Sequence, residues 1–450
     1  MSKYVKIKKG LNIKLAGEAV KSLSNLSLPE IFAVKPTDFA GLTPKLLVKQ
    51  GDEVQSGSPL FYDKNNEDII FSSPVSGEVI EIVRGEKRQI LEIKILADKS
   101  ISYLTSKQVD PNSLGREEVI ATLLKSGVWP FIRQRPFGIV AKPTDIPKSI
   151  FISAFDTNPL APDIDFVMQG NEELFQLGLD ALKKLTEGQV HLNIHTDFPS
   201  NSFAVCSGIE INKISGPHPS GNVGVQIHHI DPLNKGEVVW YVNPQDVLII
   251  AKLFKHGIYD VSRIIALTGS QIIAPQYYKC VAGCNIKKIL ADGGLKEGDN
   301  RIISGNVLSG NQLKADDYLG FYDTQITVIP EGHEYEFMGW LAPGFDKFSV
   351  SRTFFSWLQP NKKHDLNTNL HGEERPFVIT GQYEKVFPMD IYPVQLLKSI
   401  LIEDIDMMEK LGIYEVVEED FALCEFVCTS KIKSQDIIRQ GLEMIQKEFN

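Results

Sequence analysis

The groups in this chain that could do chemistry are few, and each suggests a different kind. The first is a glycine-rich run, Ser215-Gly216-Pro217-His218-Pro219-Ser220-Gly221-Asn222-Val223-Gly224, ahead of a short helical stretch, Val225-Gln226-Ile227-His228-His229. Exposed backbone N–H groups in such a run could cradle an anion. It matches neither G-x-G-x-x-G nor G-x4-G-K-[ST], so tight-turn packing competes with ligand binding. Gly216, His218, Gly221 and Gly224 are the candidate contacts, joined by Asp156 in Asp156-Thr157-Asn158-Pro159 and by His195-Thr196-Asp197. His218, His228 and His229 raise a metal centre, but no carboxylate or cysteine stands at ligand spacing, and no metal ligand is assigned. Cys280/Cys284 and Cys424/Cys428 are C-x3-C pairs rather than C-x2-C, which reads as buried structural thiols sharing a helix face. No catalytic residue is assigned.

The elements that must position these groups alternate in kind. Met1 to Ser100 reads as β-rich. Gly51-Asp52, Gly57, the tip Lys64-Asn65-Asn66-Glu67-Asp68 and Ser73-Pro74-Val75-Ser76-Gly77 punctuate short strands there. That pattern resembles the barrel-sandwich domains that carry biotin or lipoate, with a modified lysine about eight residues before the turn proline. Counting back from Pro74 reaches Asn66, and Lys64 has no M-K-M or D-K-A flank. The fold looks kept and the carrier chemistry looks absent. Arg84 to Arg88 is a solvated hairpin tip.

Arg116 to Ser126 is a helix with Val119, Ile120, Leu123 and Leu124 inward. Strands follow at Ser149–Phe155, Val190–Ile194, Ile209–Ile214, Glu237–Val242 and Ser262–Leu267. Between them lie helices started by Asn171, with Leu174, Leu177, Leu182 and Leu185 inward, and by Asn243-Pro244, running to His256 and stopped by Gly257. Alternation of this length predicts an open, largely parallel sheet, whose ligands bind beyond the carboxyl ends of its strands. Ile289 to Pro330 reads as β-rich, with strands over Arg301–Gly310, Leu319–Tyr322 and Gln325–Ile329. Gly332 to Gly381 is irregular, with Asn361–Gly372 its loosest part. Helices start at Pro393, with Val394, Leu397, Leu401 and Met408 inward, and at Ser434, with Ile438, Leu442, Ile445 and Phe449 inward. The expected division is an α/β multidomain chain: a barrel-sandwich domain (1–100), a Rossmann-like α/β domain (101–257), a β-grasp (SLBB-like) domain (258–335), an irregular linker (336–380) and a C-terminal helical domain (381–450).

Composition narrows the classes. With 43% hydrophobic residues and a formal charge of −10, the chain is expected to be globular and not to bind nucleic acid. No run reaches the about 20 apolar residues that span a bilayer, and no secretory h-region follows Met1. Five cysteines fit reduced thiols.

Several stretches are distinctive: Gly216–Gly224, N-R-I-I-S-G-N-V-L-S-G (Asn300–Gly310), G-W-L-A-P-G-F-D-K-F-S-V-S-R (Gly339–Arg352), Y-E-K-V-F-P-M-D-I-Y-P-V-Q-L-L (Tyr383–Leu397) and E-E-D-F-A-L-C-E-F-V-C (Glu418–Cys428). Together they resemble the A subunit of the sodium-translocating NADH:quinone reductases, from Lys6 to the last helix. Thr429 departs from the family pattern, which continues C-x3-C-P. The resemblance implies a peripheral component on the cytoplasmic side of the bacterial inner membrane, joined to the membrane through partner subunits. The complex passes electrons from NADH to quinone and exports Na⁺; its FAD, FMN, riboflavin and iron–sulfur centre lie in other subunits, and this chain holds no cofactor. Architecturally similar flavoproteins bind flavin mononucleotide on a G-x-G-G-A-G-F-P loop. The matching stretch here is Ser126–Phe131, where Val128 and Trp129 stand in place of bare backbone. In that vacated pocket, Trp129, Phe131 or Phe137 could stack on a quinone ring, and Arg133 or Arg135 could donate to its carbonyl. Three alternatives stay open: a purely structural scaffold, a flavin-binding oxidoreductase with an unrecognised site, and a lipoyl-type carrier.

Overall fold

A computed structural model of the chain describes residues 2–197, 202–203, 206–333, 336–339 and 341–449. The first two strands join neither each other nor the strands that follow them. β1 (Tyr4–Lys6) pairs parallel with Lys213–Ser215, and β2 (Val20–Asn25) pairs parallel with 276–279.

The barrel-sandwich comes next: β3 (Ile31–Val34), β4 (Pro44–Leu46), β5 (Glu53–Val54), β6 (Pro59–Asp63), β7 (Asn66–Ser72), β8 (Gly77–Arg84) and β9 (Ile90–Ala97). Two sheets, β3-β9-β8-β5 and β4-β6-β7, face each other. Alternation puts Phe61 and Phe71 inside, stacked at 4.6 Å. The hairpin tip is tighter than expected. Only Lys64 and Asn65 turn, because Asp63 Oδ1 accepts from Asn65 N at 3.1 Å, and β7 already begins at Asn66.

After α1 (Arg116–Lys125), β10 (Arg133–Arg135) and β11 (Ile139–Val140) form one edge of a seven-stranded sheet. The sheet continues with β12 (Ser149–Ser153), then α2 (Ile164–Met168), α3 (Glu172–Lys183), β13 (Gln189–His195), β14 (Glu210–Ser215), α4 (Val223–Ile230), β15 (Val239–Tyr241) and α5 (Pro244–His256). Its order is β1-β14-β13-β12-β15-β10-β11, parallel from β1 to β15 and antiparallel at β10 and β11. Period-two alternation divides its side chains between two cores. Ile150, Ile152 and Trp240 join Phe175, Leu179 and Leu253 of α3 and α5 on one face. Phe151, Val239 and Tyr241 join Val225 of α4 and the C-terminal helices on the other. On α3 the buried stripe is Phe175, Leu179 and Leu182, with Leu174 and Leu177 at its edge. Asn243, Pro244 and left-handed Gly257 bound α5 as its sequence predicts, although Asn243 makes no side-chain cap.

β16 (Ser262–Thr268) belongs to a third, six-stranded sheet with β17 (Gln276–Val281), β18 (Asn300–Ser304), β19 (Asn311–Leu313) and β20 (Gln325–Pro330), in the order β19-β18-β20-β16-β17-β2. α6 (Lys287–Gly293) takes up the start of the stretch from Ile289 to Pro330 expected to be β-rich, and Leu319–Tyr322 forms no strand there. Cys280 lies on β17 and Cys284 in the turn after it, so this pair shares no helix face. Segment 361–372, expected to be loose, is tied down: His364 N donates to Lys14 O at 2.8 Å, Asp365 accepts from Ser270 Oγ, and Thr368 Oγ1 donates to Glu331.

The C-terminal part carries α7 (Tyr383–Val386), α8 (Pro393–Leu401), α9 (Ile405–Lys410), α10 (Ala422–Val427) and α11 (Ser434–Phe449). The one helix expected from Pro393 to Met408 breaks into α8 and α9. Glu403 turns left-handed, and Asp404 caps α9 by accepting from Met407 N at 3.0 Å. Leu401, expected inside, is left exposed, while Met408 is buried. Ile438, Leu442 and Ile445 are buried on α11; the side chain of Phe449 lies outside what is described. Among the described residues no helix is long and apolar enough to cross a membrane.

Candidate functional site

Strand order reverses between β12 and β15, so a crevice is expected beyond their carboxyl ends. The loops that meet there are the one after β12, the glycine-rich run after β14, and residues 415–420 from the C-terminal part. All three are knitted together. Gly221 N donates to Thr157 Oγ1 at 2.9 Å, and the Thr157 hydroxyl meets His218 Nδ1 at 3.1 Å. A Cβ on Gly221 would lie 2.6 Å from Thr157 N, so this glycine is needed for close approach. Burial pushes His218 down to about 4, which keeps its ring neutral. Asp156 faces inward and accepts from Asn158 N and Nδ2, both at 2.8 Å; burial raises its pKa. Gly216 packs on the Ile7 carbonyl at the end of β1.

The first turn of α4 is where an anion would sit, and the chain fills that place itself. A Cβ on Gly224 would fall 2.6 Å from Asp420 Oδ1 and 2.8 Å from Arg135 Nη2. Asp420 and Arg135 are both fully buried and pair at 2.7 Å; Arg135 also meets Glu419 at 2.8 Å. Val417 N donates to Asp420 Oδ2 at 2.9 Å, and Asn222 Nδ2 donates to Glu419 O at 3.3 Å. Neighbouring carboxylates overcome the cost of burying Arg135 and raise its pKa. The histidines that invited a metal point three ways. His228 Nδ1 meets Glu415 Oε2 at 2.7 Å while its Nε2 accepts from Asp390 N at 2.9 Å, and His229 Nδ1 meets Val225 O. Among the described residues no group of three His, Cys, Asp or Glu could hold a metal ion.

The stretch from Ser126 to Phe137 runs beside this site. Gly127 is left-handed, and a Cβ there would also strike Ser72 Oγ at 2.0 Å. Trp129, wholly buried, donates to Ala141 O at 2.6 Å and meets Trp240 edge-on. Phe131 stacks on Phe321 at 4.7 Å. Arg133 is partly exposed, its guanidinium held between Tyr241 at 4.6 Å and Tyr322 at 4.3 Å. Burial opposes its charge, but Tyr241, Tyr322, Glu419 and Asp246 outweigh burial and raise its pKa. Phe137, also partly exposed, sits edge-on to Tyr414.

The structure therefore joins Gly221, Gly224, His218 and Asp156 to Arg135, and places Arg133 and Phe137 at the rim of the same region. It adds residues that sequence reasoning missed. Asp420 and Glu419 are the partners of Arg135. Asp246 pairs with buried Arg263 at 3.6 Å and is pushed by burial to about 6. Asp38 accepts from Phe321 N at 2.8 Å and is likewise raised to about 6 by burial. Asp38 lines, with Lys35, Ser72, Tyr259, Gly283 and Phe321 among others, a void of about 10 Å³, which has room for about one water. The E-E-D-F run was visible in sequence, but nothing local marked its aspartate as the partner of Arg135, 285 residues away.

Known families and proteins match the chain closely. Residues 5–98 match the NqrA N-terminal barrel-sandwich hybrid domain, 114–259 the NqrA second alpha/beta domain and 264–315 the NQRA C-terminal domain. The A subunit of the Na(+)-translocating NADH-quinone reductase of Yersinia pestis bv. Antiqua is 40% identical over 447 residues, covering 99% of this chain and 100% of that one. The Pasteurella multocida protein of the same name is 39% identical over 449 residues, with the same coverage of both chains. Among solved structures, a chain of an NAD⁺-reducing [NiFe]-hydrogenase in the air-oxidized state aligns over 78% of this chain and 68% of its own length, with a TM-score of 0.37 and 11% identity. By its full-length match to these relatives, the chain belongs to the NqrA family, the A subunits of the Na(+)-translocating NADH-quinone reductases.

Proposed function

We propose that this chain is a subunit of a sodium-pumping NADH:quinone reductase that performs no redox step by itself. It is held on the cytoplasmic side of the membrane by partner subunits, and FAD, FMN, riboflavin and the iron–sulfur centre belong to those partners. The observation that carries the non-redox reading is the filled cradle. Asp420 and Arg135 occupy the first turn of α4, and Trp129 occupies the turn where a flavin-binding loop would run bare. A dinucleotide or flavin phosphate arriving there would find the space filled and its one arginine already paired with Asp420 and Glu419. The reading of the middle domain as Rossmann-like and of the last domain as a helical unit belongs to the same proposal, supported by the strand order and by α7 to α11.

Quinone contact is the finer part. Arg133 and Phe137 are the members of the Trp129–Phe137 stretch that reach solvent, so they meet the head-group. Trp129, Phe131 and Arg135 shape the wall behind them. A guanidinium held between two phenols donates more strongly as negative charge grows on a quinone oxygen. The test has two arms. Adding the chain to the complex purified without it restores Na⁺-stimulated quinone reduction by NADH, while the chain alone oxidises no NADH and releases no flavin on denaturation. Quinone titration then compares wild type with Arg133→Ala and Phe137→Ala; saturable binding weakened by both supports the contact. No saturable binding in wild type leaves the scaffold reading.

A further inference from the structure

We propose that residues 336–339 and 341–363 form a docking surface for another protein component of the complex, one that offers an apolar patch edged by a carboxylate; this rests on the subunit reading above. Phe337, Leu341, Phe345, Phe355, Trp357 and Leu358 are each at least 49% exposed, and Phe337 is 92% exposed. They stand on one knotted loop. Lys347 Nζ pairs with Glu336 and donates to Gly339 O at 2.7 Å, Phe355 N donates to Pro343 O at 2.9 Å, and Lys362 Nζ donates to Phe345 O at 3.1 Å. The loop has an inner side as well: Phe348 packs edge-on to His364 and against Phe426, and Ser356 is buried. The fold thus anchors the loop through Phe348 and Ser356 and leaves these six large apolar side chains exposed along it, with Phe345 and Phe355 in contact at 5.9 Å. Single exposed apolar residues are ordinary, but a cluster of this size marks an interface. Half-exposed side chains of about 150–250 Å² each amount to roughly 600 Å², most of the about 800 Å² that one partner of a stable interface buries.

Charge and backbone choose the occupant. Apart from the turn Phe355–Leu358, the described part of the loop has no regular structure, so hydrocarbon would strand its N–H and C=O groups. An anionic headgroup layer needs free bases. Lys347, Lys362 and Lys363 are already paired with Glu336, Asp346 and Glu18. Exposed Arg352 has no acid beside it among the described residues, and it supplies the one charge a partner would answer. A second copy is disfavoured by the repulsion of two chains each carrying −10. A protein surface satisfies backbone and side chains together.

The complex purified without this chain is titrated with the full chain, wild type against Trp357→Glu/Leu358→Glu. Ile146→Glu, on an exposed apolar side chain outside the loop, is the control. The expected result is binding weakened at least about tenfold by the double change, an unaffected control, and unchanged melting temperatures in all three. Equal affinity of wild type and double variant overturns the proposal alone. It is also overturned if the double change abolishes binding to protein-free phosphatidylethanolamine–phosphatidylglycerol vesicles, or concentration-dependent self-association, while leaving the complex bound. A wild-type chain that fails to bind the complex overturns the subunit reading and this proposal with it.

Discussion

Breaking one side of the Arg135–Asp420 pair should cost far more than replacing both. At 2.7 Å the two charges attract by about 6 kcal/mol at an effective dielectric constant of about 20. Burying them both completely costs several kcal/mol per ion, so the pair as a whole is close to neutral for stability. Asp420→Ala leaves a guanidinium in the core with Glu419 as its remaining partner. Arg135→Met leaves a carboxylate whose Oδ1 already lacks a hydrogen-bond partner among the described residues. Each single change should lose about 3–5 kcal/mol. The double change Arg135→Met/Asp420→Leu should recover most of that loss, giving a coupling of about 3 kcal/mol or more. Urea unfolding, followed by the fluorescence of buried Trp129 and Trp240, measures all four species. Single changes costing less than about 1 kcal/mol, with effects that simply add, would refute the idea that this pair plugs the α4 cradle as a unit.

Gly224→Ala should destabilise by about 1–3 kcal/mol, because crowding against Asp420 and Arg135 outweighs the about 1 kcal/mol gained in helix propensity; thermal melts decide the sign. Gly127→Val should lower the melting temperature more than a surface change, since Ser72 blocks its side chain and its backbone is left-handed. His218 has a folded pKa of about 4, below its ordinary 6.5, so the folded state gives up a proton that the unfolded chain keeps. Its stabilisation is full above about pH 6.5 and falls as pH drops toward 4, by up to about 3 kcal/mol. Asp38 and Asp246, raised to about 6, work the other way across the same range. Comparing His218→Gln with wild type between pH 4 and 7 isolates the histidine, and parallel stability curves would count against it. EDTA should leave the melting temperature unchanged, as the C-x3-C thiols supply too few ligands for a closed site; a drop would show a structural metal.

Several local signals were legible where neighbours in sequence are neighbours in space. Asn243-Pro244 and Gly257 bracket α5, and the glycines and prolines between 51 and 77 mark the barrel-sandwich turns. Periodicity failed where a single residue redirects the chain. Glu403 and Asp404 split α8 from α9, although the apolar spacing runs on to Met408. It also failed at Asp63, whose side chain tightens the hairpin tip, and at Cys284, which a turn rather than a helix brings after Cys280. At the site, the glycines announced a close approach but not what approaches. The aromatic and basic stretch from Trp129 to Phe137 looks ligand-facing in sequence. Most of it is core, because Ser72, Trp240, Phe321 and Asp420, all distant along the chain, close over it.

The pairing of β1 with β14 sets a timetable for synthesis. Lys3 donates to Asn212, 209 residues further along. At about 5–20 residues per second, the N-terminal strand leaves the ribosome roughly 10–40 seconds before its partner exists. It must wait as an unpaired strand, and the loop it closes is long, which slows completion of the seven-stranded sheet. Its sequence suits the wait. Lys3, Lys6, Lys8 and Lys9 put charge on and beside a three-residue strand, the composition that discourages pairing with the wrong edge. The same lysines that give this terminus its basic character would protect a nascent chain whose second domain is finished by its first residues.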